Sequence, residues 1–284
     1  MIGLEHLLRE GSLLLSASHI ERPRHEARIL LAHIMGVSQE YLFVNNTIEL
    51  DAKIESEFQQ LIQRRANREP MAYIRGYQEF YGLPFCVNAE TLIPRPDSEI
   101  LVKLALEFAE NSLQTNQTIL DLGVGSGCLL IAFLKNQPFA SGVGVDVSYE
   151  TIMVARDNAV KNNVSDRTVL FVGSWGTALG ALFDIIVINP PYIRLDEEAD
   201  LMKDVIAFEP RRALFSGKNG TESYQRFSSQ LRGLLRPSGR VFVELAAGMG
   251  DQVEEIMSEF GLVEHERRQD LAGIERCSVF KLSH

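Results

Sequence analysis

A chain of 284 residues is too long for one ordinary core and too short for three, which predicts two domains of unequal size. With 45% hydrophobic and 23% charged residues it reads as a soluble globular protein, and no apolar run approaches the roughly 18 residues a membrane span requires. The formal net charge of −10 is spread along the chain, with nine basic against twelve acidic residues up to position 90 and nineteen against twenty-six beyond it, so neither part carries the basic footprint of a typical nucleic-acid binder.

The first 18 residues carry acids and an arginine inside an apolar pattern without a basic leader, so they read as a helix and not as a signal peptide; the expected compartment is the cytoplasm. Pro23 stands where a helix can begin, and Ala27, Leu30, Leu31 and Ile34 repeat at helical spacing until Gly36. A further helix is expected from the N-cap Asp51, with Ile54, Phe58, Leu61 and Ile62 on one face and Pro70 as its stop. Between Tyr73 and Val87, aromatic and β-branched residues around Gly82 and Pro84 predict a β-hairpin linker. Beyond it, strand-like runs at 118–122, 142–147, 169–172, 184–188 and 240–245 alternate with helical stretches, the pattern of a parallel sheet covered on both faces; Cys277 to Leu282 adds a final strand. The three cysteines, Cys86, Cys128 and Cys277, are scattered among apolar residues and read as reduced core thiols without a metal cluster.

The chemistry-bearing signals sit where strands end. The strand at Ile119 to Leu122 runs into Gly123, Val124, Gly125, Ser126 and Gly127 and then into an apolar helix, so a ligand can approach the backbone closely. The spacing is GxGxG, neither the dinucleotide GxGxxG nor a P-loop. The next strand ends at Asp146, placed to accept hydrogen bonds from two ribose hydroxyls or, alternatively, to cap the following helix, a task Ser148 could also perform. Together these point to a ligand containing a nucleoside, without choosing between NAD and S-adenosylmethionine.

Asn189, Pro190, Pro191 and Tyr192 follow the strand at 184–188 directly. Two prolines cannot continue a ladder, so the chain is held rigidly just beyond the sheet edge. Such a loop can present the Asn189 side-chain oxygen and the Pro190 carbonyl as acceptors for one planar NH₂ group, with Tyr192 stacking on it. That suits methylation of an amide or aromatic amine, because two fixed acceptors polarise both N–H bonds of a poor nucleophile while the site aligns it with the methyl group. No metal, nucleophilic Ser or Cys, or catalytic His is called for.

Over nearly its whole length the chain resembles the peptide chain release factor N5-glutamine methyltransferases, the HemK or PrmC type. The resemblance rests on Arg68, Glu69 and Pro70; Ala72 to Ile74; Glu79, Phe80 and Gly82; Leu92 to Pro96; Asp121 to Gly127; Asp146; Asn189 to Tyr192; Phe208 to Pro210; and Gly217, Gly220 and Tyr224. It implies an α/β, Rossmann-like class I methyltransferase fold with a seven-stranded sheet. Residues 1–72 would form a helical substrate-recognition domain, 73–90 a β-hairpin linker and 91–284 the methyltransferase domain. It also implies methylation of the glutamine of the Gly-Gly-Gln motif in class 1 release factors, in a monomer that does not bind nucleic acid directly.

By the same resemblance Gly123, Val124, Gly125, Ser126, Gly127, Asp146 and Trp175 hold S-adenosylmethionine, with Trp175 beside the adenine. Asn189, Pro190, Pro191 and Tyr192 hold the glutamine amide, Asn189 also lies near the cofactor's methyl group, and Arg95 and Phe208 to Pro210 line the site. Bare alternatives are a core aromatic for Trp175 and a surface ion pair for Arg95. The sequence departs from the family at Ser174, where an acid is usual, and between Leu245 and Gly250. Rival readings are a nucleic-acid base N-methyltransferase, since the Asn189 motif is shared with adenine and guanine enzymes, and a non-catalytic binding module, which would be expected to show damaged motifs.

Overall fold

The structure is a computed structural model that describes residues 1–270 and 272–283, so the expected methyltransferase segment extends one residue past the last described position. The chain divides into two compact units: Met1–Gly76 with Met202–Phe208, and Tyr77–Leu201 with the residues from Glu209 onward.

In the first unit, helices Leu4–Ala17, Pro23–Met35 and Ala52–Ala66 enclose a core that includes Leu7, Leu30, Leu31, Phe58 and Ile62. Each of these side chains contributes about 1.5–3 kcal/mol by leaving water. A Cβ on Gly11 would lie 2.8 Å from ring carbons of Phe58, so the glycine permits the close approach of the first helix to the third. Pro23 occupies the first helical turn, Gly36 ends that helix in the left-handed region at φ 64°, and Asp51 Oδ1 accepts from the Ile54 N–H at 2.9 Å. The third helix stops at Ala66, before Pro70, and Pro70 instead caps a short helix, Met71–Arg75. Tyr73 to Arg75 are therefore helical, and the hairpin is confined to Tyr77–Phe80 and Leu83–Cys86, which belong to the second unit. Sequence patterning missed a two-residue ladder, Ile2–Gly3 against Glu49–Leu50. Arg65 draws the returning segment into the first unit: its guanidinium donates to Glu26 and to Asp204, each at 2.6 Å, and to the Glu69 carbonyl at 3.0 Å.

The second unit is built on a seven-stranded sheet: β1 (Thr118–Leu122), β2 (Ser141–Asp146), β3 (Thr168–Val172), β4 (Phe183–Ile188), β5 (Leu235–Glu244), β6 (Leu262–Gln269) and β7 (Glu275–Leu282). Their order is β6-β7-β5-β4-β1-β2-β3, with β1 to β5 parallel and β7 antiparallel to both β5 and β6. Helices Glu99–Glu110, Cys128–Asn136 and Tyr149–Lys161 pack with Ile119, Ile185, Val187 and Phe242 on one face. Helices Glu222–Leu231 and Gly250–Glu259 pack with Leu120, Ile186, Val241 and Val243 on the other. The two sets alternate along each strand, as a strand buried on both sides requires. Because the strand order reverses between β1 and β4, the loops leaving these neighbouring strands open a crevice at the carboxyl edge, where α/β sheets bind ligands. β6 escaped the sequence reading, since its residues 264–269, Glu-His-Glu-Arg-Arg-Gln, lack an apolar alternation. Among the described residues no helix is long and apolar enough to cross a membrane.

Candidate active site

The walls of the crevice include Gly123, Val124, Gly125, Ser126, Asp146, Trp175, Asn189, Pro191, Arg95, Ser98 and Arg212. The glycine loop, the acid after β2 and the Asn189 loop, far apart in sequence, thus converge on one space.

Gly123 and Gly125 both take positive φ, 84° and 54°, and a Cβ at either would meet no atom closer than 3.9 Å. The space above the loop is therefore open to a ligand lying against bare backbone. Gly127, at φ 83°, does not line the crevice. A Cβ there would come within 2.8 Å of Ile131 Cδ1, so this glycine serves helix packing. Asp121, on β1 beneath the loop, is buried. Its Oδ2 accepts from the Leu130 N–H at 3.3 Å, Oδ1 has no partner, and burial pushes its pKa up to about 7.

Asp146 Oδ2 accepts from the Gly125 N–H and Oδ1 from the Ser148 N–H, both at 3.1 Å, which turns the carboxylate toward the loop. Burial raises its pKa, and the backbone N–H groups of Ser148 and Gly125 oppose that rise. Helix capping falls to Ser148, whose Oγ accepts from the Thr151 N–H at 3.2 Å, so Asp146 keeps lone pairs available to a ligand. Trp175 packs on Phe227 with ring centroids 5.3 Å apart and also lines the crevice, its Cζ3 lying 3.9 Å from the Cβ position of Gly123. An open glycine cradle, an acid at the end of β2 and an aromatic wall form a donor, acceptor and stacking set that fits the nucleoside and amino-acid parts of S-adenosylmethionine.

The Asn189 loop leaves β4 and is tied down on its far side. The Ile193 N–H donates to the Leu214 carbonyl at 3.0 Å, and the Ser216 N–H donates to the Ile193 carbonyl at 2.9 Å. Gly220, at φ 78°, lets the Tyr192 carbonyl pass, since a Cβ there would sit 2.8 Å from it. Asn189 and Pro191 face the crevice, whereas Pro190 is buried and Tyr192 is half-buried against the core. Burial, reinforced by the nearby Glu244 carboxylate, pushes the Tyr192 pKa up to about 12.

The Asn189 amide has a defined orientation. Its Nδ2 donates to Ser98 Oγ at 3.0 Å, and the Ser98 hydroxyl donates to Glu244 Oε2 at 2.5 Å. Among the described residues no protein group donates to Asn189 Oδ1, which leaves that oxygen as an acceptor. Burial pushes the Glu244 pKa up to about 7, against the pull of Ser98 and Arg276. Sequence reasoning missed both Ser98 and Glu244. Ser98 gives no local signal, but Glu244 is a carboxylate at the carboxyl end of an apolar strand in a parallel sheet, a placement that points to a site.

Arg95 pairs with a buried partner and not at the surface. Its guanidinium donates to Glu209 at 2.5 Å, and the same carboxylate accepts from the Ile93 N–H at 3.1 Å. Phe208 belongs to the first unit and Pro210 caps the short helix Arg211–Leu214. Cys128 lines the crevice and Cys86 is half-buried, so only Cys277 is the buried core thiol that was expected of all three. Although the residue is only half-buried, loss of solvent around its sulfur pushes the Cys128 pKa up to about 12, so the thiol stays protonated at neutral pH.

A profile described as the PrmC N-terminal domain matches residues 6–76, and one described as the methyltransferase small domain matches residues 98–221. The release factor glutamine methyltransferase of Rhodospirillum rubrum is 36% identical over 274 residues, covering 96% of this chain and 83% of that protein. The bifunctional methyltransferase of Rickettsia bellii is 33% identical over 306 residues; the match covers 99% of this chain and 55% of that protein. Among solved structures, a methyltransferase from Pyrococcus furiosus shares the fold, with a TM-score of 0.53 and 18% identity over 81% of this chain and 100% of that one. By its likeness to the first of these relatives over nearly its whole length, the chain belongs to the release factor glutamine methyltransferase family.

Proposed function

We propose that this protein transfers a methyl group from S-adenosylmethionine to the side-chain amide nitrogen of the glutamine in the Gly-Gly-Gln motif of class 1 peptide chain release factors. The observation that carries the reading is the orientation of Asn189. With Nδ2 committed to Ser98, the crevice receives a hydrogen-bond acceptor, which matches the NH₂ of an amide. Family membership supports the same substrate.

In this reading the backbone of Gly123, Val124, Gly125 and Ser126 cradles the cofactor, Asp146 accepts from its ribose hydroxyls and Trp175 borders its adenine. Gly127 contributes by setting the helix behind the loop. When bound, the sulfonium supplies an electrophilic methyl group. Asn189 Oδ1 and the Pro190 carbonyl accept the two amide N–H groups of the substrate, which draws electron density onto the nitrogen and fixes its line of approach. Pro191 holds that geometry rigid and Tyr192 borders the amide plane. The proton leaves after transfer, when the nitrogen has become acidic, so the chain needs no strong base beside it.

The helical unit, residues 1–72 in the sequence reading, serves to bind the body of the release factor. The protein acts as a monomer in the cytoplasm and makes no direct contact with nucleic acid. The test is incubation of the purified protein with S-adenosylmethionine and unmodified release factor, followed by peptide mass spectrometry. A single added methyl on the glutamine of the Gly-Gly-Gln fragment is expected, and an unmodified fragment would refute the assignment.

A further inference from the structure

We infer that Ser98 and Glu244 are positioning residues that determine which chemical group the site accepts, by locking the Asn189 amide with its oxygen toward the crevice. The inference rests on the proposed amide-methylating function and adds to it the origin of the discrimination between glutamine and glutamate.

An asparagine amide can rotate by half a turn and exchange an acceptor for a donor at almost no steric cost. The asymmetry must come from what its other end meets. Here Nδ2 meets Ser98 Oγ at 3.0 Å, and the Ser98 hydroxyl is already donating to Glu244 Oε2 at 2.5 Å. With Glu244 ionised, as it is above about pH 7, Ser98 is therefore obliged to act as acceptor toward Asn189, and rotation of the amide would bring two acceptor oxygens together. Both supports are buried, Ser98 at 2% and Glu244 at 4% exposure, so water cannot substitute for either. Glu244 is itself held, with the Tyr224 hydroxyl donating to its backbone carbonyl at 2.9 Å and Tyr224 fully buried. The chain also polarises Asn189 in the useful direction, since a carboxylate at its far end makes Oδ1 a stronger acceptor.

A locked acceptor welcomes an NH₂ group and repels a carboxylate of the same shape. Glutamine thus enters as substrate, whereas glutamate would set like partial charges against each other. Removing Ser98 frees the amide to rotate, and a rotated amide presents Nδ2, a donor that suits glutamate.

The experiment compares wild type with Ser98→Ala and Ser98→Thr in methylation of intact release factor, using as inhibitor the same factor carrying glutamate in place of the target glutamine. Cofactor affinity is measured by calorimetry and folding by thermal unfolding. For Ser98→Ala the expected result is a kcat lower by about 100-fold, unchanged cofactor affinity and stronger inhibition by the glutamate factor. Ser98→Thr, which keeps the hydroxyl, is expected to restore both kcat and discrimination. A Ser98→Ala enzyme with wild-type kcat and discrimination would overturn the inference, as would a folded Ser98→Thr enzyme as impaired as the alanine variant. Failure of the wild type to methylate the factor at all would instead refute the proposed function.

Discussion

The loop after β1 and the loop after β4 leave neighbouring strands at the same sheet edge, yet one is made of glycines and the other of prolines. At Gly123 and Gly125 the side chain is absent and φ is positive, so the loop offers backbone groups and empty space. At Asn189 to Tyr192 the conformation is pinned by ring closure, by the Ile193 and Ser216 backbone bonds and by the Ser98–Glu244 chain. The first design suits a ligand recognised by shape and by its hydroxyls. The second suits a single group recognised by the direction of its hydrogen bonds. On the proposed function, that division lets one crevice hold the cofactor and still select its second substrate.

This contrast can be broken by exchanging what each loop lacks. Asn189→Ala removes the directed acceptor and should lower kcat by about 10²–10³-fold, as loss of a preorganised group typically does, while calorimetry shows cofactor affinity largely retained. Gly125→Val fills the cradle and should have the opposite profile, with cofactor Kd raised at least about tenfold from strain of roughly 1–2 kcal/mol at a left-handed position and from lost space. If Asn189→Ala abolished cofactor binding, or Gly125→Val left it intact, the division of labour would fail.

A third test concerns the group behind the rigid loop. The folded-state pKa of Glu244, near 7, lies above the ordinary carboxylate value, so in the window between them the folded protein holds a proton that the unfolded chain has released. This group's contribution to stability therefore falls as pH rises through that window. Arg276, Asp97, Tyr192 and Ser98 face it and set the size of the effect. Relative to wild type, Glu244→Gln should gain on the order of 1–3 kcal/mol between pH 5 and pH 8 in denaturant titrations; a pH-independent difference would show that the carboxylate is not buried as described. The smallest effect is expected at Ser148. Its alanine variant loses one helix cap, about 1 kcal/mol of stability, and should leave Asp146 and cofactor affinity nearly unchanged.

The glycine run, Asp146 and the Asn189 motif were legible in the sequence because each is a local signal at the end of an apolar strand. The sheet was legible for the same reason wherever its strands are buried on both faces. β6 was not, because its residues 264–269 are polar. The supports of the rigid loop were hidden for a different reason. Ser98 and Glu244 lie 146 residues apart, and Arg95 and Glu209 lie 114 apart, so only the folded sheet edge brings them together. The chain shows which groups a site contains more readily than it shows what orients them. The separate packing role of Gly127 was likewise invisible, since its motif reads the same whether a glycine faces a ligand or a helix.

The most direct test of the central claim places both classes of substrate in one tube. The purified protein would be incubated with S-adenosylmethionine labelled in its methyl group, unmodified release factor and an excess of total nucleic acid, and the label located after digestion. Label is expected in the release factor alone, on the glutamine of its Gly-Gly-Gln peptide; label on nucleic acid bases with none on the factor would overturn the proposed function.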